Sequence, residues 1–330
     1  MEKIKVGVAG CGHLGKMHIK NLKELEKERK DIEFTGVFDI DMDICMKTSM
    51  EYKTKCFNYF DDFLSNINAV IIVSPTSSHF DLALKTISKN IHTFIEKPVT
   101  DKIEDAYLLK ANYDNRRETI VQIGHIERFN PALLSVEKYN IKPLFIESHR
   151  LAQYNPRGTD VSVIQDLMIH DIDIILSLVK SRVKQIDANG VAIMTDKFDI
   201  ANARLQFENG CVANITASRI SQKKMRKMRI FQNDAYLSID FSENEAEVFK
   251  LSDSKKDGKV VGTIDKNGKS LNICYDKPKQ LKVNAMKYEE NAFFDCIANK
   301  TAPIVSLEDG IHALEVATEI IKKIEQNRIA

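Results

Sequence analysis

The stretch Val6-Gly7-Val8-Ala9-Gly10-Cys11-Gly12-His13-Leu14-Gly15 decides the fold of this chain. An apolar run from Ile4 to Ala9 reads as a buried strand. It meets Gly10-x-Gly12-x-x-Gly15 where a helical pattern begins at His13 and continues to about Arg29. Phosphate binding needs these parts in this order. Gly10 permits a tight turn, Gly12 lets the backbone approach a pyrophosphate, and Gly15 lets the helix pack closely on the strand. The N–H groups that open the helix then face the anion.

A second strand, Phe34-Thr35-Gly36-Val37-Phe38, ends in Asp39, 24 residues after Gly15. A carboxylate there accepts hydrogen bonds from the ribose hydroxyls of an adenosine. It would repel a 2′-phosphate, and no Arg or Lys follows before Lys47. The expected cofactor is therefore NAD rather than NADP. The rival is a loop for S-adenosylmethionine, which also places an acidic residue after the second strand.

Composition excludes several classes. At 330 residues the chain suits two domains or one large one. A net charge of +1 provides no field for nucleic acid or a membrane surface. No apolar stretch reaches transmembrane length, and Met1-Glu2-Lys3 leads straight into a strand without a signal-peptide pattern. Cysteines 11, 45, 56, 211, 274 and 296 are scattered, with no CxxC pair and no zinc spacing. These features predict a reduced, cytoplasmic protein without structural metal.

Residues 1–123 alternate strand and helix signals. Strands are predicted at 3–9, 33–38, 54–57, 69–73, 91–95 and 119–123, and helices at 13–29, 41–50, 60–66, 78–89 and 101–114. Runs such as Ala69-Val70-Ile71-Ile72-Val73 are apolar without alternation, as parallel strands covered on both faces require. The fold class is α/β: an N-terminal Rossmann doubly wound parallel sheet, with ligands at the carboxyl ends of its strands. Those ends carry Gly10–Gly15, Asp39, Ser74-Pro75-Thr76, Glu96-Lys97-Pro98 and Gly124-His125.

Residues 124–330 read as a C-terminal α+β domain built on a mostly antiparallel sheet, for substrate binding and oligomerisation. A helix at 129–139 precedes a strand at 143–151, a loop at 152–160, a helix at 162–180 and antiparallel strands over 183–276. Asn209-Gly210 predicts a hairpin with a type I′ turn, and Lys256-Asp257-Gly258 and Lys266-Asn267-Gly268 mark further turns. Helices at 284–299 and 306–327 close the chain, the last capped by Ser306. Helices can cover one sheet face and a second subunit the other, so a homodimer or homotetramer is expected.

Two features carry chemistry. Lys97 follows a strand at the edge where a nicotinamide would lie, and can serve as acid, base or hydrogen-bond donor. Asp166 and His170 stand four apart on one helix face, where the carboxylate can orient the imidazole as a general base. A surface lysine at a strand end and an ordinary polar helix face are the plain alternatives. His18, His92, His125, His149 and His312 read as ordinary histidines, and Lys223–Arg229 as a solvated strand face.

Together these motifs carry a resemblance. Gly-Cys-Gly-His-Leu-Gly near the start, Glu96-Lys97-Pro98 after the fifth strand and Asp166-x-x-x-His170 in the second domain resemble the Gfo/Idh/MocA oxidoreductase family. Ser74-Pro75-Thr76-x-x-His79 and Arg128-Phe129-x-Pro131 are similar to further family signatures. The resemblance implies an NAD-dependent dehydrogenase of a sugar or cyclitol hydroxyl, with Lys97, Asp166 and His170 as its catalytic residues. It implies cofactor contacts from Gly10, Gly12, His13, Leu14, Gly15, Asp39, Ser74, Pro75, Thr76, His79, Glu96 and Lys97.

Gly124-His125-Ile126-Glu127-Arg128-Phe129-Asn130-Pro131, with Asp166–Asp173, resembles the branch that oxidises the 3-hydroxyl of UDP-N-acetylglucosamine. In that branch a PLP aminotransferase uses the ketone, on the way to a diamino sugar of lipid A. The substrate side is then expected to involve Lys97, Arg128, Asn130, Arg157 and His170, with Arg150 a further candidate for the diphosphate. Whether Lys97 or His170 takes the hydroxyl proton stays open. So do three other readings: a dehydrogenase of inositol or another free polyol, an NAD(H)-binding regulator without turnover, and a methyltransferase.

Overall fold

The computed structural model describes residues 3–155, 161–254, 258–266 and 268–327. The chain forms two compact units. One holds the residues up to Ile126 together with Val283–Leu314, the other Glu127–Lys282 together with the residues from Glu315 onward.

In the first unit β1 (Ile4–Ala9), α1 (His13–Glu28), β2 (Ile32–Phe38), α2 (Met42–Tyr52), β3 (Lys55–Cys56) and α3 (Phe60–Leu64) lead to β4 (Ala69–Ile72). Then follow α4 (His79–Ser88), β5 (His92–Glu96), α5 (Ile103–Tyr113) and β6 (Val121–Gly124). The six strands are parallel in the order β3-β2-β1-β4-β5-β6. Strand order reverses between β1 and β4, which opens a crevice at their carboxyl ends. Every residue of β4 is buried, as its unbroken apolar run demands.

The second unit contains α6 (Pro131–Ser135), β7 (Phe145–Leu151) and α7 (Ile169–Val179), the last entered through a π-helical stretch, Ile164–Met168. After them come β8 (Val183–Val191), β9 (Ile200–Phe207), β10 (Val212–Ser218), β11 (Met225–Phe231), β12 (Ala235–Asp240), β13 (Glu245–Ser252), β14 (Lys259–Lys266) and β15 (Lys269–Asp276). The nine strands lie in the order β14-β15-β13-β12-β11-β7-β10-β9-β8, with β7–β10 parallel and the other pairs antiparallel. Period-two alternation buries Ile146, Ser148 and Arg150 of β7 and leaves Phe145, Glu147, His149 and Leu151 half-buried on the opposite face. The closing helices are α8 (Ala285–Asn299) and α9 (Leu307–Asn327). Ser306 and Asp309 form the expected cap: the Ser306 hydroxyl accepts the Asp309 N–H at 3.1 Å, and the Asp309 carboxylate accepts the Ser306 N–H at 2.8 Å.

Several expectations need correction. A boundary at 123/124 misses that α8 belongs to the first unit, where Phe293, Phe294 and Cys296 share a core with Val6, Leu22 and Phe94. The helix expected at 129–139 is broken into short turns around α6, because Asn130 caps a new helix with Pro131 in its first turn. At Asn209-Gly210 only the glycine has a positive φ, +86°, so the turn is not type I′. Its Gly210 N–H donates to Phe207 C=O at 3.0 Å, the pattern of a type I turn followed by a glycine bulge. Cys45 of α2 and Cys56 of β3 form a disulfide with Cα atoms 5.8 Å apart, against the reading of scattered, reduced thiols. Lys256-Asp257 and Asn267, expected in turns, lie outside the described residues. No described helix is long and apolar enough to cross a membrane.

Candidate active site

The glycine loop is shaped by the close contacts its sequence predicts. Gly10 has φ +112°, and a Cβ there would lie 2.7 Å from Ser74 N. At Gly15 a Cβ would stand 2.0 Å from Gly10 O, so only glycine lets α1 approach β1. An added Cβ at Gly12 meets no atom within 4 Å; the missing side chain leaves the space before the loop open. No side chain caps α1 and no acidic residue stands in its first turn. A pyrophosphate fits these features: open space, uncapped N–H groups and the positive end of a 16-residue helix.

Asp39 closes this half. Its Oδ2 accepts the Cys11 N–H at 2.7 Å and its Oδ1 the Asp41 N–H at 2.9 Å, so the carboxylate is held against the loop. Each oxygen keeps acceptor capacity for a ribose hydroxyl. Burial and the Asp39 charge push the Cys11 thiol up to about 12, which keeps it neutral. His13 and Leu14 are exposed at the helix start.

At the ends of β4 and β5 the loops are braced together. His79 is buried, with Nδ1 2.9 Å from Pro98 O and Nε2 3.0 Å from Ser74 O. The sequence leaves His79 open between a cofactor contact and a structural role; both its nitrogens face backbone carbonyls, so it ties the Ser74 loop to the Lys97–Pro98 turn. The Lys97–Pro98 peptide is cis, and Lys97 is half-buried. Glu96 is buried, and its Oε2 accepts the Lys97 N–H at 3.2 Å.

One residue read as ordinary is central here. His18 is fully buried; its Nε2 lies 3.0 Å from Glu96 Oε1 and its Nδ1 2.6 Å from Glu290 Oε1. Each ring nitrogen thus faces a carboxylate oxygen. Burial alone would push its pKa down, but the hydrogen bonds to Glu290 and Glu96 outweigh it and carry it up to about 10. Burial pushes the Glu290 carboxyl up as well. A signal for His18 existed: Gly15, His18, Ile19, Leu22 and Leu25 form the buried stripe of α1, and a histidine on such a stripe needs partners.

These shifts set a pH dependence of stability. Groups whose pKa is raised in the native state bind more protons there than in the unfolded chain, so stability falls as pH rises through the window between the two values. For His18 the window runs from the ordinary 6.5 to about 10. The thermal midpoint should fall between about pH 7 and 10, and less steeply in His18→Gln. Parallel pH profiles for wild type and variant would place the titration elsewhere.

In the second unit Asp166 and His170 are both half-buried, on the π-helical stretch and the first turn of α7. The π geometry is formed by Ile169 N–H donating to Ile164 C=O, five residues back. Such widened turns recur at functional sites because they re-aim the side chains of one face.

The arginines expected to bind a diphosphate are differently employed. Arg128 donates through Nε and one Nη to the two oxygens of Asp173, at 2.6 and 2.8 Å. Arg150 is buried between Asp171, at 2.7 Å, and Glu127, at 2.7 Å. Asn130 is also engaged: its Oδ1 caps α6 by accepting the Ala132 N–H at 3.0 Å, and its Nδ2 donates to Glu127 and to Phe241 C=O. In the structure all three brace the second unit; a sequence shows an arginine's charge but not the carboxylate that folding brings to it. Arg157 lies outside the described residues. On β11, Lys227 meets Asp240 at 3.0 Å and Arg229 meets Glu147 at 3.3 Å across neighbouring strands, as a solvated strand face does.

Comparison with known proteins agrees with this architecture. The model of the oxidoreductase family with an NAD-binding Rossmann fold matches residues 4–125, and that of the GFO/IDH/MocA C-terminal domain matches residues 144–238. UDP-N-acetylglucosamine 3-dehydrogenase of Acidithiobacillus ferrooxidans is 37% identical over 250 residues, which cover 76% of this chain and 78% of that one. The solved structure of that organism's UDP-N-acetylglucosamine 3-dehydrogenase GnnA aligns at a TM-score of 0.86 and 31% identity, covering 99% of each chain. The scyllo-inositol 2-dehydrogenase (NAD(+)) of Bacillus subtilis is 25% identical over 338 residues, 96% of this chain and 92% of that one. The first unit is thus an NAD-binding domain, and the chain belongs to the Gfo/Idh/MocA family of oxidoreductases.

Proposed function

We propose that this protein is an NAD-dependent sugar-nucleotide dehydrogenase that oxidises the 3-hydroxyl of UDP-N-acetylglucosamine to a ketone. The observation that carries this reading is the likeness, over 99% of both chains, to a UDP-N-acetylglucosamine 3-dehydrogenase. The inositol dehydrogenase is a more distant relative at 25% identity. Lys97, Asp166 and His170, the residues the chemistry requires, are all in place in the sequence.

NAD, when bound, accepts a hydride from the sugar carbon. The chain then has two tasks: to hold the dinucleotide and to take the hydroxyl proton. Gly10, Gly12 and Gly15 with the start of α1 hold the pyrophosphate, and Asp39 holds the adenosine ribose. Ser74, Pro75 and Thr76 border the middle, and Glu96 faces the nicotinamide ribose. His170, oriented by Asp166, or Lys97 takes the proton while the other polarises the oxygen. With Arg128, Arg150 and Asn130 engaged as braces, Arg157 is the arginine we assign to the diphosphate. The ketone would pass to a PLP aminotransferase in cytoplasmic synthesis of a surface sugar such as that of lipid A.

The test is NADH absorbance with NAD⁺, UDP-N-acetylglucosamine, and an aminotransferase with glutamate to draw off the ketone. NADH formed with this nucleotide, and not with UDP-glucose, UDP-N-acetylgalactosamine or inositol, is the expected result. Turnover of inositol alone would replace the substrate. Tight NAD binding with silence on every substrate would favour the regulator.

The same reading includes a homo-oligomer built on the open face of the second unit's sheet. Phe145, Phe231, Tyr236, Phe249 and Tyr275 form a continuous aromatic row across five strands, with neighbouring ring centroids 5.0–5.9 Å apart. A second copy is the natural cover for such a row. Sedimentation should return at least a dimer mass, and Phe231→Glu should lower it; a monomeric wild type would end this part of the proposal.

A further inference from the structure

Glu290, His18 and Glu96 connect three elements of the first unit that are far apart in sequence: α8, α1 and the end of β5. The chain of contacts runs in one direction. Glu290 is fully buried and takes the Nδ1 side of His18 at 2.6 Å; Asn21 lies 3.5 Å from the same oxygen. His18 turns its Nε2 to Glu96 Oε1 at 3.0 Å, and its ring packs edge-on against Phe94, with centroids 5.7 Å apart. The second oxygen of Glu96 accepts the Lys97 N–H at 3.2 Å. On the other side, Gly124 of β6 leaves just enough room: a Cβ there would stand 3.0 Å from the Glu96 carboxylate. One rotamer of Glu96 is therefore enforced from several directions, at the strand end beside the lysine of the proposed reaction.

An apolar residue at position 18 would complete the stripe of α1 but leave Glu96 and Glu290 buried without their shared partner. A buried charge network is a weak source of stability compared with apolar packing, and what this one fixes is Glu96.

We propose that His18 is a positioning residue of the cofactor site: anchored by Glu290, it holds Glu96 in place for the nicotinamide half of NAD. The inference rests on the placement of Glu96 at the nicotinamide ribose in the proposed function, and extends it to two residues that touch no cofactor. His18 is fixed at both ring nitrogens, Nδ1 against Glu290 and Nε2 against Glu96.

Binding titrations of the full-length protein with NAD⁺ and with ADP test it. ADP carries the adenosine and diphosphate but lacks the nicotinamide ribose. Glutamine places an amide N–H near the position of imidazole Nε2, and asparagine near that of Nδ1. His18→Asn should therefore lose the contact to Glu96 and weaken NAD⁺ binding about tenfold, with ADP affinity within about twofold of wild type. His18→Gln should recover most of the loss, and Glu96→Gln should resemble His18→Asn. Equal weakening of NAD⁺ and ADP, or a His18→Gln no better than His18→Asn, would reduce His18 to packing and overturn the proposal. Normal NAD⁺ binding by His18→Asn, where Glu96→Gln binds weakly, would overturn the role of His18 alone. Normal binding by Glu96→Gln would remove Glu96 from the nicotinamide half and take the inference with it, while NADH formation from UDP-N-acetylglucosamine would still report on the proposed reaction independently.

Discussion

Lys97→Ala is expected to lower kcat with UDP-N-acetylglucosamine by about 10²–10⁴, the range for loss of a general acid or base. His170→Ala should fall in the same range, and Asp166→Asn should fall less, because it orients the base without exchanging the proton. The pH profile separates the roles. If His170 is the base, its removal flattens the rise of kcat/KM with pH, and Lys97→Ala leaves that rise intact. If Lys97 is the base, the pattern inverts. The double variant should be little worse than the poorer single one, because residues acting as a unit are not additive. Losses below about tenfold in both single variants would remove Lys97 and His170 from the chemistry.

Arg150→Met is expected to destabilise the second unit by about 3–5 kcal/mol, because it strands the buried Asp171 carboxylate and leaves Glu127 with Asn130 Nδ2 at 3.0 Å and the exposed Arg226 at 3.7 Å. Arg150 holds Asp171 through Nε and one Nη at 2.7 and 3.2 Å, and Glu127 through the other Nη at 2.7 Å. The three side chains are at most 7% exposed, so water cannot replace the lost partner. The guanidinium also lies 5.8 Å from the centre of the Phe241 ring. Those carboxylates hold the Arg150 pKa above its ordinary value, against the opposing effect of burial. Denaturant titration followed by far-UV signal is the measurement. A triple change, Arg150→Met with Asp171→Leu and Glu127→Met, should recover part of the loss, since no charge is left buried. A loss under about 1 kcal/mol for Arg150→Met would show that the network is solvated in solution.

The glycine turn and the Rossmann sheet were legible because their signals are local. Gly10 is required by its own φ of +112° and Gly15 by its close approach to Gly10 O, both within one strand–turn–helix unit, and the distance to Asp39 follows from one further strand. The alternation of strand and helix over 1–123 appears with the same elements in the same order, because buried parallel strands must be apolar on both faces. The capping of α9 was equally local.

The residues that escaped are those whose partners lie far along the chain. His18 and Glu290 are 272 residues apart, Arg150 and Asp171 are 21 apart, and Arg128 and Asp173 are 45 apart. A charged side chain is a donor or acceptor wherever it stands; which partner it meets depends on packing. Arg128, Arg150 and Asn130 therefore read as ligands for a phosphate-bearing substrate until the fold supplied their carboxylates. The disulfide between Cys45 and Cys56 spans only 11 residues and forms because α2 folds back beside β3.

By itself, then, the sequence determined the Rossmann unit, its glycine turn and the presence of Lys97, Asp166 and His170, because turn glycines, apolar periodicity and fixed spacings act over a few residues. Only the tertiary structure decided that α8 completes the first unit, that β7 and β10 run parallel, and that His18 stands between two buried carboxylates. The physical reason is that a buried charge is tolerated only with a partner, and the chain finds that partner in three dimensions rather than in order.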